Sequence, residues 1–243
     1  QVSMELGLAG HSVTVNHAEV SGELALSTAI DALLLGRASA MVVGGVDELS
    51  AAVYAARRSA GHQTTTPVQP YANGGPSGGG LVPGEGAAVL VVEREAEARA
   101  RKATVVARVV ACGAGSPGEA IRGCLARGGL PASAVDLVIG SGCGRWATDG
   151  PELQGLRQAF GARLPPLTTP HALLGSFMAA GVLRVALAAA VLQDGRAFPA
   201  QRGARADLPG LIVDSPLGGR FQRALILGCS ASDTAGAVVI ERP

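Results

Sequence analysis

The sequence is poor in aromatic and charged residues. Phe, Trp and Tyr make up 3% of its 243 residues, and Asp, Glu, Lys and Arg together make up 16%. The formal net charge is +1, so the chain lacks the basic excess that nucleic acids and anionic membrane surfaces attract. We therefore predict no nucleic-acid partner and no membrane partner. Because 48% of the residues are hydrophobic, the composition predicts extensive buried surface.

Long apolar runs and metal-ligand spacings are lacking as well. No apolar stretch reaches the roughly 20 residues of a membrane span, and the closest, Ala179–Leu192, contains Arg184. The cysteines show no C-x-x-C spacing and the histidines are scattered, so we predict no metal site and no bound cofactor. This cysteine usage is typical of reduced thiols in a cytoplasmic protein. The cysteines are Cys112, Cys124, Cys143 and Cys229.

The stretch Ser12–Gly22 is the most informative part of the chain. It begins with a β-branched run at Val13–Asn16, turns at a polar corner, and leads into an apolar helix predicted from about Val20 to Leu35. A corner between a strand and a helix N-terminus is where α/β proteins place nucleophiles and bind anions. Here the corner holds a carboxylate, Glu19.

The rest of the chain alternates predicted strands and helices, as in an α/β fold. The first strand after the helix, Ser39–Val46, is so apolar that we expect both of its faces to be covered. A long loop rich in proline and glycine, Thr64–Gly84, is expected to be functional or to lie at an interface. Further strands are predicted at Gly86–Glu93, Thr104–Ala111, Val135–Gly140, Leu164–Thr168, Ala224–Leu227 and Ala237–Glu241, with helices near 50–61, at Pro117–Arg127, Pro151–Phe160 and Ser176–Gln193.

The two ends of the chain resemble each other. Gly86-Ala-Ala-Val-Leu-Val-Val-Glu93 and Gly236-Ala-Val-Val-Ile-Glu241 close segments with the same order of strand, buried helix, strand, loop and strand. This repeat predicts two similar halves, residues 1–97 and 98–243. The second half carries a strand–helix–strand–helix unit in front, at 104–160, that has no counterpart in the first. We therefore expect the first half to be incomplete in this chain.

Several motifs resemble those of the β-ketoacyl synthases of the thiolase superfamily. Ser12–Gly22 is similar to the nucleophile stretch of that family, and Leu81-Val-Pro-Gly-Glu-Gly86 to its Gly-Phe-Val-x-Gly-Glu-Gly signature. Asp149-Gly-Pro-Glu152 resembles the segment after the family's first histidine. The resemblance implies a five-layered αβαβα fold made of two similar halves, with the first half incomplete here.

The chain departs from the family where chemistry is expected. Glu19 stands at the position of the nucleophilic cysteine, and Ser141 at that of the first histidine. The second histidine position falls on Ser176 or, in another register, on Gly175. Since condensation requires a thiolate and donors for the enolate, the resemblance implies that no catalytic residue remains. We interpret His17 and His171 as structural or interface histidines, and Cys143 as a structural thiol.

The resemblance therefore implies a subunit of the chain-length-factor type. Such a subunit pairs with a competent ketosynthase as a heterodimer and helps to bound the tunnel for the growing acyl chain, in type II polyketide or fatty-acid-like biosynthesis. The substrates of the complex would be carried on the phosphopantetheine of an acyl carrier protein. Because this family joins its subunits through the strand before the nucleophile, the expected interface residues are Val13, Thr14, Val15, Asn16 and His17. Two alternatives stay open: a priming enzyme that decarboxylates malonyl-carrier protein, and a degenerate scaffold protein.

Overall fold

The computed structural model describes residues 2–64, 68–72, 80–201 and 208–243, with only the backbone of Val2. The cluster at 73–79 and part of the predicted loop 64–84 therefore lie outside the described residues. The helices are α1 Val2–Glu5, α2 Ser21–Leu34, α3 Ala51–Ser59, α4 Glu95–Ala100, α5 Pro117–Arg127, α6 Trp146–Phe160, α7 His171–Leu174 and α8 Ala180–Asp194. The strands are β1 Ala40–Asp47, β2 Gly86–Glu93, β3 Arg108–Gly115, β4 Leu137–Ile139, β5 Leu167–Thr168, β6 Arg196–Ala197, β7 Leu217–Gly218, β8 Arg223–Cys229 and β9 Ala235–Glu241.

The described elements form four layers with two hydrophobic clusters, one between the two sheets and one between the larger sheet and the helices on its far side. Strands β1 and β2 pair antiparallel in a two-stranded sheet, and a five-stranded sheet has the order β3-β9-β8-β4-β5. Helices α2 and α8 lie between the two sheets, while α5 and α6 cover the far side of the larger one. The two central helices cross where Gly22 meets Gly181, because a Cβ on Gly22 would lie only 2.7 Å from the Cα of Gly181.

The expectation that the first central strand is covered on both faces is wrong. One face of β1 and β2 packs on α2 and α8, but the other is exposed: Val46, Val89 and Val91 keep 73%, 65% and 64% of their accessible surface. The sequence shows apolar residues on both faces, as in a doubly covered strand. Among the described residues, however, no element lies over the outer face.

The predicted strand at Val13–Asn16 is also absent. Residues 11–16 have no regular secondary structure and are largely exposed. A strand is stabilised by backbone hydrogen bonds to a neighbouring strand, and no described residue pairs with this segment. The β-branched residues favour a strand, but composition alone does not provide a neighbouring strand to pair with.

The helix after the corner is confirmed, with one difference in its burial. Helix α2 runs from Ser21 to Leu34 and ends at Gly36, whose φ of +67° places it in the left-handed region. The Arg37 amide donates to the Ala32 carbonyl at 2.8 Å, so the end of the helix is capped by backbone bonds. Leu34, in the last turn of this apolar helix, is exposed rather than buried.

The other predicted helices and strands are present, and most of them differ from the prediction only in their bounds. Strand β2 and helix α5 have the predicted bounds, and α5 begins with Pro117 after a Ser116–Glu119 capping box. Helix α6 begins five residues earlier than predicted and includes Pro151 in its second turn, where the missing N–H leaves the helix without one backbone hydrogen bond. Helix α8 begins at Ala180 rather than Ser176, and the connector 94–102 contains the short α4.

The order of elements agrees with the predicted repeat in part. Helix α2 precedes the antiparallel pair β1–β2, and helix α8 precedes the antiparallel pair β8–β9. Strand β5 precedes α8, but the first half has no strand in the equivalent place before α2. Within the described part of the chain, no helix is both long and apolar enough to span a membrane.

Candidate functional site

The three positions singled out in the sequence line one small cavity. Glu19, Ser141 and Ser176 come from three distant parts of the chain, and all border an enclosed space of about 10 Å³. That volume is close to the least that holds a single water molecule. The remaining lining residues are Leu81, Cys143, Thr148, His171, Phe177, Arg184 and Cys229.

The corner before α2 is sharp, as the sequence suggested. Ala18 has φ +46°, in the left-handed region that a residue with a Cβ rarely adopts. The Ser21 hydroxyl holds the turn by accepting from the His17 amide at 2.8 Å and donating to the Ala18 carbonyl at 2.7 Å. The Glu19 carbonyl accepts from Nη2 of Arg184 at 3.3 Å, whereas its carboxylate makes no hydrogen bond or ion pair with any described residue.

Ser141 is buried and all its hydrogen-bonding groups are in use. Its hydroxyl donates to Oε2 of Glu152 at 2.9 Å and accepts from the Cys229 amide at 3.0 Å. Its own amide donates to Oε1 of Glu152 at 2.8 Å. The side chain therefore links β8 to α6, and the carboxyl that accepts from its hydroxyl also accepts the Ser141 amide and the Tyr71 hydroxyl.

Two buried carboxyls of α6 hold the loop that contains Ser141. Asp149 accepts the amides of Cys143 and Gly144, each at 2.9 Å, and that of Tyr71 at 2.8 Å. Tyr71 closes the group, since its hydroxyl donates to Oε1 of Glu152 at 3.1 Å and accepts from the Gly142 amide at 3.1 Å. These bonds fix residues 140–144 against α6.

Burial raises the pKa values of the ionisable side chains in this network. Desolvation, together with the charge of Asp149, raises the pKa of Glu152 to about 8 against the opposing hydrogen bonds of Ser141. Desolvation also raises the pKa of Asp149 to about 6, although three backbone donors oppose it. The pKa of the Cys143 thiol is well above its usual value because the thiol is buried and Asp149 is close. Cys143 is thus an unreactive thiol, consistent with its structural interpretation.

Ser176 faces the cavity from the segment between α7 and α8. Its amide donates to the Val82 carbonyl at 2.7 Å, and its carbonyl accepts from the Gly84 amide at 3.0 Å, which fixes it against the Leu81–Gly86 motif. The two candidate positions for the second histidine therefore lie in different places. Ser176 lines this cavity, whereas Gly175 lines a separate groove.

His171 lies in the same wall as a buried neutral histidine. Its Nδ1–H donates to the Gly175 carbonyl at 3.0 Å, and its Nε2 accepts from Nη1 of Arg184 at 2.9 Å. Desolvation and the Arg184 charge lower the pKa of His171 to about 3. With Nε2 already bonded to a cation, this histidine is unsuited to act as a general base.

Arg184 lines the cavity and forms an ion pair with Glu23 between the two central helices. Its Nη2 lies 2.6 Å and its Nε 3.1 Å from Oε1 of Glu23, and both side chains are almost fully buried. Glycines make room for the pair, because a Cβ on Gly228 or Gly236 would lie 2.7 Å from atoms of Glu23. The same arginine donates to Glu19 and His171, so one cation joins three segments of the site.

Sequence reasoning missed this pair, although a signal was present. Arg184 interrupts an otherwise apolar helix, and Glu23 lies in the apolar helix that follows the corner. Charged residues at core positions of helices are almost always paired. One positive and one negative residue, each within a buried apolar helix, were therefore a reason to expect an ion pair.

Most of the bonds around the cavity join its polar groups to one another or to the backbone. The Ser141 hydroxyl donates to the Glu152 carboxyl, and the ring of His171 is bonded to Arg184. The Glu19 carboxylate makes no such bond with a described residue, and the space between these groups admits little more than a water molecule. These hydrogen bonds and the ion pair hold α2, α7, α8 and the 140–144 loop in fixed positions.

Comparison with known proteins agrees with this architecture. Residues 1–98 match the family described as β-ketoacyl synthase, N-terminal domain. Nodulation protein E of Rhizobium sp. (strain N33) is 33% identical over 177 residues, covering 66% of this chain and 42% of that protein. The tetracenomycin polyketide synthase ketoacyl synthase beta subunit of Streptomyces glaucescens is 29% identical over 262 residues, covering 100% of this chain and 64% of that protein. The chain thus spans about half to two thirds of the length of these relatives.

Solved ketosynthases share the fold. The ishigamide ketosynthase/chain length factor superposes with a TM-score of 0.87 at 20% identity, over 96% of this chain and 61% of that one. The type II polyketide ketosynthase AntDE, solved with the acyl carrier protein AntF, gives a TM-score of 0.90 at 16% identity, over 100% of this chain and 65% of that one. The architecture is therefore that of a thiolase-like protein. Residues 1–98 therefore belong to the β-ketoacyl synthase family, and the chain as a whole shares the fold of solved ketosynthases.

Proposed function

We propose that this chain is a non-catalytic ketosynthase-like subunit of the chain-length-factor type. In this role it pairs with an active β-ketoacyl-carrier-protein synthase in the cytoplasm and helps to shape the tunnel in which an acyl or polyketide chain grows. The observation that carries the proposal is the cavity at Glu19, Ser141 and Ser176, where the Ser141 hydroxyl is held by Glu152 and the ring of His171 is bonded to Arg184. The names of two similar proteins, a ketoacyl synthase beta subunit and a chain length factor, support it.

The proposed interface is the segment from Val13 to His17. It is largely exposed, it carries β-branched residues, and the backbone of Val13–Asn16 is unpaired in the described structure, whereas the His17 amide donates to the Ser21 hydroxyl. An extended segment with free donors and acceptors is ready to add to a strand of another chain. Pairing with the equivalent segment of a ketosynthase would therefore satisfy the backbone groups and cover Val13.

Substrates would reach the complex on the phosphopantetheine arm of an acyl carrier protein. The support is indirect: one of the structurally similar ketosynthases was solved in complex with its carrier protein. In the proposed division of labour, the partner supplies the cysteine and histidines, and this chain binds no cofactor of its own.

Co-expression with the ketosynthase of its own gene cluster tests the proposal. We expect the two chains to co-purify and the complex, but not this chain alone, to consume malonyl-carrier protein. Val13→Asp should weaken co-purification, whereas Val106→Asp is the control, because Val106 is similarly exposed (48% against 54%) but lies outside the segment. Equal retention of both variants would remove Val13 from the interface.

The two alternatives predict different results in the same assays. A priming enzyme would release carbon dioxide from malonyl-carrier protein when this chain is incubated alone. A degenerate scaffold would not co-purify with any ketosynthase, and either result would overturn the proposal. The Glu19→Cys variant adds a check on the site itself. We expect no condensation from this variant, because no histidine of the cavity is free to assist the thiol.

A further inference from the structure

Helix α3 is attached to the protein mainly through hydrogen bonds at its two ends. The Ser50 hydroxyl caps its first turn by accepting from the Val53 amide at 3.3 Å, and the Arg57 carbonyl near its last turn accepts from the His62 amide at 3.1 Å. None of its nine residues is buried, and no described helix or strand packs along it. So short a helix is marginal in water unless one face is packed. Contact of the uncovered face with another molecule would therefore add stability.

One face of α3 combines apolar side chains with cations. Val53 and Arg57 are four residues apart, as are Tyr54 and Arg58, so these four side chains are neighbours on one face. Val53 is 41% and Tyr54 is 45% exposed. Arg57 is half-buried and Arg58 is exposed, and neither guanidinium forms a hydrogen bond or an ion pair with any residue that the structure describes. The helix contains no acidic residue that could neutralise them.

A third arginine, Arg145, adds positive charge near the end of α3. The Leu81 amide donates to the His62 carbonyl at 2.9 Å, which places His62 beside the cavity that Leu81 lines. After desolvation, the charges of Arg145 and Arg57 are the main causes that lower the pKa of His62, and the charge of Glu19 opposes them. The end of the helix therefore lies in a positive field next to the candidate site.

We propose that this face of α3 binds an acidic helix of the acyl carrier protein. The carboxylates of that helix lie against Arg57 and Arg58, and its apolar side chains lie against Val53 and Tyr54. Charge complementarity selects this occupant, because unpaired guanidinium groups attract carboxylates and repel a basic partner. The inference rests on the proposed function, in which a carrier protein delivers the substrates, and it adds the surface on which that protein docks. It involves binding only and no chemical step.

Calorimetric titration with the carrier protein of the same gene cluster tests this surface. The protein titrated is the complex of this chain with its ketosynthase. Arg58→Glu should weaken binding of the carrier protein about tenfold, because repulsion replaces an attraction, and Tyr54→Ala should weaken it through lost apolar contact. Arg163→Glu is the control, since Arg163 is also an exposed arginine but lies outside α3, and it should leave the affinity unchanged. The affinity of the unmodified complex should fall as the salt concentration rises.

The apo form of the carrier protein, which lacks phosphopantetheine, separates the helix from the arm. We expect Arg58→Glu to weaken binding of the apo and holo forms by the same factor. An effect on the holo form alone would mean that α3 binds the phosphate of the arm, and this result would overturn the proposal. Equal affinities of the Arg58→Glu and Arg163→Glu complexes would overturn it as well.

The ketosynthase is the other possible occupant of this face, and co-purification identifies it. We expect Arg58→Glu to co-purify with the ketosynthase as the unmodified chain does. Loss of co-purification in this variant would assign the face to the ketosynthase and overturn the proposal. If the unmodified chain does not pair with the ketosynthase, the proposed function fails, and the same titration of this chain alone still tests whether α3 binds the carrier protein.

Discussion

Nη2 of Arg184 lies 2.6 Å from Oε1 of Glu23, and this buried ion pair joins the two central helices of the fold. The arginine belongs to α8 and the glutamate to α2, so the pair links two helices that lie far apart in the sequence. Through its other donors, Arg184 also binds the Glu19 carbonyl and the ring of His171. The charge that organises the candidate site is therefore a structural one.

Breaking this pair should destabilise the protein strongly. Arg184→Met leaves Glu23 buried without its cation, and we expect a loss of about 3–5 kcal/mol in the free energy of unfolding. The double variant Glu23→Met/Arg184→Met should be much less destabilised than the sum of the single variants, because it leaves no buried charge. Urea unfolding of all four proteins measures this coupling. Additive losses would show that the two side chains do not interact.

Ser141 should contribute to stability through its two hydrogen bonds. Ser141→Ala leaves Oε2 of Glu152 and the Cys229 amide without this partner, so we expect a loss of about 1–3 kcal/mol. Ser133→Ala is the control, since Ser133 is exposed in the connection before β4. Urea unfolding compares the two variants. A loss below that of the control would mean that the Ser141 hydroxyl is not buried in this network.

Glu152 should make stability depend on pH. Its pKa is about 8 in the folded protein and ordinarily 4.5, so the folded state holds a proton that the unfolded chain has lost. The stabilisation is full below the ordinary value and is lost as the pH rises through 8. Between pH 6.5 and 7.5, where partial protonation of His171 in the unfolded chain offsets some of the effect, stability should fall by about 1 kcal/mol per pH unit.

Glu152→Gln should remove this dependence, because glutamine has no titrating proton and keeps an acceptor for the Ser141 amide. Glu48→Gln is the control, since Glu48 is exposed. Thermal unfolding at a series of pH values provides the measurement. A variant that retains the slope of the unmodified protein would assign the effect to another group.

Gly228 should not tolerate a side chain. A Cβ there would lie 2.7 Å from both Nη2 of Arg184 and Cδ of Glu23, so Gly228→Ala must displace the ion pair. We expect a loss of more than about 2 kcal/mol in the free energy of unfolding. Gly44→Ala is the matched control in another strand, where the nearest neighbour of a Cβ is the Val89 side chain at 3.8 Å. Equal stability of the two variants would contradict the packing around Glu23.

The elements that could be predicted are those whose signals are local. Helix α5 has both its bounds where Pro117 and Arg127 placed them, and Gly36 ends α2 in a left-handed conformation, because caps depend on neighbouring residues only. The segment 13–16 was predicted wrongly as a strand for the opposite reason. Its composition suits a strand, but a strand also needs a neighbour, and pairing is not a property of one segment.

The candidate site shows the same division. The sequence by itself determined most of the order of helices and strands and the residue types at Glu19, Ser141 and Ser176, since these follow from local pattern and from motif. Only the tertiary structure decided that these residues border one cavity and that Arg184 is paired with Glu23. Those contacts join residues far apart in the chain, and the packing of α2 against α8 brings them together.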